Sequence, residues 1–262
     1  MVEKYIDYQK YHAKEEQAMH GMGIGRSALS PQIIQNGYKR IINKLTRMKG
    51  KFLYPLIFAS SVLLALMAFK KVNRQIVCFG DSITYGAQVD GHSWVYFLSG
   101  DHPGIDFINA GRSGRKTADK KELLPVLEKY PKADDYLIFL GVNDLKNGND
   151  SMVNSCVENM RWMINEIKKV NHNGAIVILA PCDINLKTMN DINRKKEYNK
   201  NTKRSLYKLA KRYKELAAEQ QISFISLLHT VSKPNYADGL HPDIAGQKEI
   251  AKAVWKGLKN LK

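Results

Sequence analysis

A chain of 262 residues, 44% hydrophobic and 25% charged, can form one substantial domain with an appendage or two small domains, and it is too apolar to be disordered throughout. Its formal charge of +16 is spread along the chain: residues 1–51 carry ten Lys/Arg against four Asp/Glu, and residues 72–262 carry 29 against 21. There is no zinc-type Cys/His spacing and no compact basic–aromatic motif, which excludes nucleic acid as an expected partner and leaves the charge as an attraction to anionic headgroups or acidic polymers, or as a solvated lysine-rich surface.

In chain order, residues 1–51 form a basic tail without a clear apolar period, within which 38–51 suits a short basic helix lying on lipid headgroups. Residues 52–69 read FLYPLIFASSVLLALMAF, eighteen residues without a charge, which meets the length of a single transmembrane helix. Lys39, Arg40, Lys44, Arg47, Lys49 and Lys51 crowd its N-terminal side, so the tail is expected in the cytoplasm and residues 72–262 on the outer face of the cell membrane. A cleaved signal peptide, giving a secreted protein, and a buried core helix are the competing readings. The long core, the poor cleavage site around Leu66–Phe69 and Pro55 favour an uncleaved signal anchor. The membrane is therefore an expected partner through 52–69; no sequence feature points to a protein partner.

From residue 72 onward, short β-branched runs at 75–79, 105–109, 136–140, 175–180 and 222–226 predict strands. Longer patterns at 117–130, 151–171, 190–220 and 244–262 predict helices, with a short one near 93–99. In the third long pattern Leu206, Leu209, Tyr213 and Leu216 repeat at three or four residues, one apolar stripe. Alternating strands and helices imply an α/β fold with a parallel sheet covered on both faces, and in such sheets chemistry gathers at the carboxyl ends of the strands.

The loops at those ends carry a constellation. Gly80-Asp81-Ser82 follows the first strand, Asn109-Ala110-Gly111-Arg112-Ser113-Gly114 the second and Gly141-Val142-Asn143-Asp144 the third, while Asp238-Gly239-Leu240-His241-Pro242 precedes the last helix. Ser82 is a weak nucleophile that needs a base. Asp238 and His241 lie three residues apart, so one turn can set the carboxylate against one imidazole nitrogen and leave the other for Ser82. A tetrahedral intermediate needs fixed donors for its oxyanion; the bare N–H of Gly111 and the amide of Asn143 are the candidates. Asp81 is read as structural, through a loop hydrogen bond or a helix cap.

With these four blocks in this order the chain resembles the SGNH hydrolases, the branch of the GDSL esterase/lipase group named for its Ser, Gly, Asn and His residues, over about residues 75–262. The resemblance implies a flavodoxin-like three-layer α/β/α sandwich with a five-stranded parallel sheet, and no metal or cofactor. It implies Ser82 as nucleophile and, through its own N–H, oxyanion donor beside Gly111 and Asn143, with His241 as base and then acid and Asp238 orienting it.

His92, His102, His172 and His229 have no acid at a matching spacing and read as surface or packing residues, and Cys78, Cys156 and Cys182 do not suggest a disulfide framework. The expected function is a membrane-anchored serine esterase acting on a small or polymeric ester, foremost a carbohydrate O-acetylesterase. The alternatives are a lysophospholipase or thioesterase for longer acyl chains and a tethered module that binds acylated ligands without turnover.

Overall fold

The structure is a computed structural model in which residues 39–40 and 74–260 are described. The chain divides into two units after Phe69, and the second, Lys70–Lys262, holds all the elements that follow. The expected anchor at 52–69, and all of the basic tail except Lys39 and Arg40, lie outside the described residues. Among the described residues no helix is long and apolar enough to cross a membrane.

Five strands, β1 (Arg74–Gly80), β2 (Ile105–Gly111), β3 (Asp135–Phe139), β4 (Ala175–Ala180) and β5 (Ser223–Ser226), form one sheet in the order β2-β1-β3-β4-β5. All four pairings are parallel, with Gly80 level with both Gly111 and Phe139. Side chains alternate across a strand, so each central strand feeds two cores. Val77, Phe79, Tyr136, Ile138, Ile176 and Ile178 face one layer, built from α3 (Leu123–Lys129), α4 (Asp150–Val170) and α6 (Lys200–Gln220). Ile76, Cys78, Leu137, Phe139, Val177, Leu179 and Ile225 face the other, built from α2 (Trp94–Asp101) and α7 (Ile244–Lys259). This is the three-layer flavodoxin-like sandwich. Its strand order turns back at β1, so the crevice beyond the ends of β1 and β3 is where a site is expected.

Two predicted helices are split. The 117–130 segment opens as a 3₁₀ turn, Thr117–Glu122, kinked at Asp119, before α3 begins. The 190–220 segment is a short α5 (Asp191–Lys195) and then α6, parted where Glu197 takes the left-handed region at φ +66°. Asn199 restarts the helix by accepting the N–H groups of Asn201 and Thr202. The predicted stripe Leu206, Leu209, Tyr213 and Leu216 is fully buried.

Candidate active site

β1 runs out at Gly80 because the next residues must turn. Asp81 caps a single helical turn, α1 (Ser82–Tyr85), by accepting the Ile83 N–H at 2.9 Å, and this fixes Ser82 as its first residue. The turn lies against the end of β2. A Cβ on Gly111 would sit 2.3 Å from the Tyr85 nitrogen, so only glycine allows the approach. Asn109 clamps the same junction, donating to the Thr84 carbonyl at 2.8 Å and to Ser93 Oγ at 3.2 Å. Gln247 on α7 donates to the Ile83 carbonyl and accepts from Trp94 N–H, which ties the last helix to the nucleophile turn.

The acid–base loop folds locally. Asp238 Oδ1 accepts the Leu240 and His241 N–H groups at 3.0 and 2.7 Å, and its Oδ2 lies 2.8 Å from His241 Nδ1. His241 Nε2 then lies 3.0 Å from Ser82 Oγ. With the proton on Nδ1, the imidazole donates to Asp238 and presents Nε2 as an acceptor to the serine hydroxyl. Burial alone would raise the Asp238 pKa; the bonds from the His241 ring and N–H and from Leu240 outweigh it and hold the carboxyl well below the usual carboxylate range. An anionic Asp238 can therefore stabilise an imidazolium at His241 while the serine is deprotonated, so Ser82, His241 and Asp238 stand in the geometry of an acyl-transfer triad.

Asn143 lies buried beside this chain. Its Oδ1 accepts from Tyr198 OH at 2.6 Å, and one of its N–H groups donates to the Arg115 carbonyl at 3.1 Å. The other faces Asp81 Oδ2 at 3.5 Å, the outer limit of a hydrogen bond, so an arriving oxyanion can claim it. Tyr198 thus orients the amide, from the break between α5 and α6. Burial pushes the Asp81 pKa up to about 6, against the lowering effects of the Ile83 N–H, His241 and Arg115.

Arg115 binds the three loops together. Its Nη1 donates to the carbonyls of Gly80 and Ala110, both at 2.6 Å, its guanidinium lies 4.1 Å from the centre of the Phe79 ring, and its own carbonyl holds Asn143. Asp144 closes the same junction by accepting from Thr117 N–H and, at 2.6 Å, from Thr117 Oγ1.

One expectation about the donors is changed by the geometry. The Gly111 N–H is not bare: it donates to Asn109 Oδ1 at 2.9 Å, which leaves Gly111 a steric role beneath α1. Three residues on, Gly114 has φ +76°, is exposed, has open space where a Cβ would stand and has no hydrogen bond to its N–H among the described residues. Arg115 and Tyr198 carried no sequence signal. Arg115 looks like an ordinary surface arginine after a glycine turn, and Tyr198 sits in a lysine-rich stretch that reads as continuous helix.

The sequence matches the GDSL-like lipase/acylhydrolase family over residues 78–249. The chain belongs to this family and is an ester-hydrolysing enzyme. Among solved structures it is similar to an aryl esterase of M. smegmatis (19% identity, 72% of this chain and 100% of that one, TM-score 0.63). It is also similar to Est24, a carbohydrate acetylesterase from Sinorhizobium meliloti (18%, 72% and 100%, TM-score 0.62), and to a lipase/acylhydrolase from Enterococcus faecalis (25%, 71% and 96%, TM-score 0.55). A search of curated proteins found no match.

Proposed function

We propose that this chain is a membrane-anchored serine esterase that removes O-acetyl groups from carbohydrate. Ser82 Oγ attacks the ester carbonyl as its proton passes to His241 Nε2. The C–O bond to the alcohol then breaks, and the alcohol leaves with that proton. Water, deprotonated by the same imidazole, attacks the acyl-enzyme, and acetate leaves as Ser82 regains its hydrogen. Asp238 holds the imidazole tautomer throughout. The oxyanion is met by the Ser82 N–H, by Asn143 Nδ2 and by the Gly114 N–H in place of that of Gly111. The observation that carries this reading is the unbroken chain from Ser82 Oγ through His241 to Asp238, at 3.0 and 2.8 Å.

An acetyl ester is favoured because the fold is shared with Est24, whose substrate class is acetylated carbohydrate. The full chain and its Ser82→Ala variant, assayed on p-nitrophenyl esters from acetyl to palmitoyl, test the reading. Expected is turnover of acetyl that collapses by octanoyl and falls at least about 10³-fold in the variant. Preference for long chains turns the assignment to lipid esters; equal inactivity of both proteins on every ester leaves a binding module. The anchor is supported by the uncharged stretch 52–69 and its basic flank. Protease added to intact cells lacking a barrier layer should digest residues 72–262, and full protection removes the outward topology.

A further inference from the structure

Three lysines stand where the loops around Asn143 meet. Lys116 lies between Arg115, whose carbonyl holds Asn143 Nδ2 at 3.1 Å, and Thr117, whose N–H and hydroxyl hold Asp144. Lys146 precedes Asn147, whose N–H donates to the Glu197 carbonyl at 2.8 Å. Lys196 precedes Glu197, and Tyr198 follows with its hydroxyl on Asn143 Oδ1 at 2.6 Å. Each lysine is therefore a neighbour in sequence of a residue that helps lock Asn143 or its loop, and three separate segments bring them to one rim. Lys146 Nζ lies 5.5 Å from the centre of the Tyr198 ring, which places its ammonium directly over the side chain that orients Asn143.

None of the three ammonium groups has an ion-pair partner among the described residues. Of the acids around them, Asp144 is held by Thr117, Asp119 by Arg112 and the Lys116 N–H, and Asp81 by the Ile83 N–H, while Glu197, next to Lys196, is exposed and makes no ion pair with any of the three lysines. Lys146 is half-buried, and burial, followed by the charges of Lys116 and Lys196, lowers its pKa. Like charges gathered without a counter-ion, at the edge of a site that must hold an ester, are an unfilled half of an electrostatic match. The exposed large apolar side chains, Tyr96, Leu124, Met152, Val170, Ile192, Tyr207 and Ile244, include none from the 112–118 or 143–148 loops and only Ile192 from the segment that carries Lys196, so the rim offers one apolar side chain and not the continuous greasy lining a lipid chain needs.

We propose that Lys116, Lys146 and Lys196 form an anion-binding rim beside Asn143 that takes a carboxylate of an acidic, O-acetylated polysaccharide. The proposal rests on the esterase reading and names its substrate class: a polymer whose sugar units carry a negative charge close to the acetylated hydroxyl. Polymer charge would draw the substrate in, and the rim would set the sugar's register so that the acetyl carbonyl meets Ser82.

The test uses the full chain and its Lys116→Gln/Lys146→Gln/Lys196→Gln variant, which keeps the aliphatic stems and removes the charge. Acetate release is followed on O-acetylated polygalacturonate and on the same polymer with its carboxylates methyl-esterified. The readout is the ratio of kcat/KM on the charged polymer to that on the neutral one. Expected is a ratio of about ten at low salt, falling toward one at about 0.5 M salt and in the triple variant. A Lys211→Gln/Lys214→Gln variant, on the exposed side of α6, should keep the native ratio. A native ratio near one, or a triple variant that keeps the preference, overturns the rim. So does cleavage of p-nitrophenyl acetate with no acetate from either polymer. The esterase reading fails separately, if Ser82→Ala releases acetate as fast as the native chain.

Discussion

The acid–base half of the site and its oxyanion half are built in opposite ways. Asp238 and His241 are joined within one loop by bonds that span two or three residues. Asn143 is held by Arg115, 28 residues away, and by Tyr198, 55 residues away, and Arg115 in turn reaches back to Gly80. A local unit can be disturbed without loosening the sheet. A unit that knots the ends of β1, β2 and β3 together cannot, so chemistry and stability should separate in the first half and coincide in the second.

The largest effect expected from breaking this contrast lies in the local half. Asp238→Asn should lower kcat on p-nitrophenyl acetate by about 10⁴-fold, because an amide cannot hold the same imidazole tautomer. The fold should persist, since the new Oδ1 can still accept the Leu240 and His241 N–H groups; a thermal melt with retained cooperativity checks this. Arg115→Met should instead cost stability, about 2 kcal/mol in urea unfolding, because the half-buried Ala110 carbonyl loses the guanidinium and the buried Gly80 carbonyl keeps only the Arg112 N–H. An unfolding midpoint equal to the native one would remove Arg115 from the knot.

Asp81 sharpens the comparison through pH. Its folded pKa of about 6 lies above the ordinary 3.8, so its contribution to stability is fully present below about pH 3.8 and is lost as pH rises through 6. The lost term is roughly 2 to 3 kcal/mol. Asp81→Asn should abolish that slope; a variant whose stability still falls between pH 4 and 6 in parallel with the native chain assigns the slope to another group. The smallest effect is expected from Tyr198→Phe. Without the hydroxyl the buried Asn143 Oδ1 loses its donor and the amide is free to turn, so kcat should fall about tenfold and stability by about 1 kcal/mol together, with KM nearly unchanged. A fall in KM affinity or stability with kcat intact would make Tyr198 a packing residue.

The same contrast explains how much of the molecule was legible in the sequence. The strand pattern was readable because period-two burial on both faces leaves runs such as Ile76 to Phe79, and the apolar stripe of α6 was readable because its four residues serve one core. The Asp238–His241 pair could be read because its geometry is a property of four consecutive residues. The break between α5 and α6 was hidden: Glu197 has no residue-type signal for a left-handed turn, and Asn190 and Asn199 mark helix starts only once it is known that there are two. For the 117–130 segment Pro125 was an available clue, since it suits the first turn of a helix that begins afresh at Leu123. Arg115 was illegible because its partners are the Gly80 and Ala110 carbonyls, one of them 35 residues away and brought near only by the assembled sheet. The Gly111–Asn109 bond, though it spans only two residues, was illegible because an asparagine two residues before a glycine does not say which way its amide turns.

The three cysteines have a practical consequence. Cys78 in β1, Cys156 in α4 and Cys182 just past β4 are all free, buried thiols, and burial raises the pKa of each. In the closed protein none offers a thiolate to an alkylating reagent, so each can react only when its own surroundings open. They amount to three clocks set into different parts of the domain, and the order in which they are labelled at rising urea would time the loosening of the sheet centre, of one helical layer and of the loop that leaves β4.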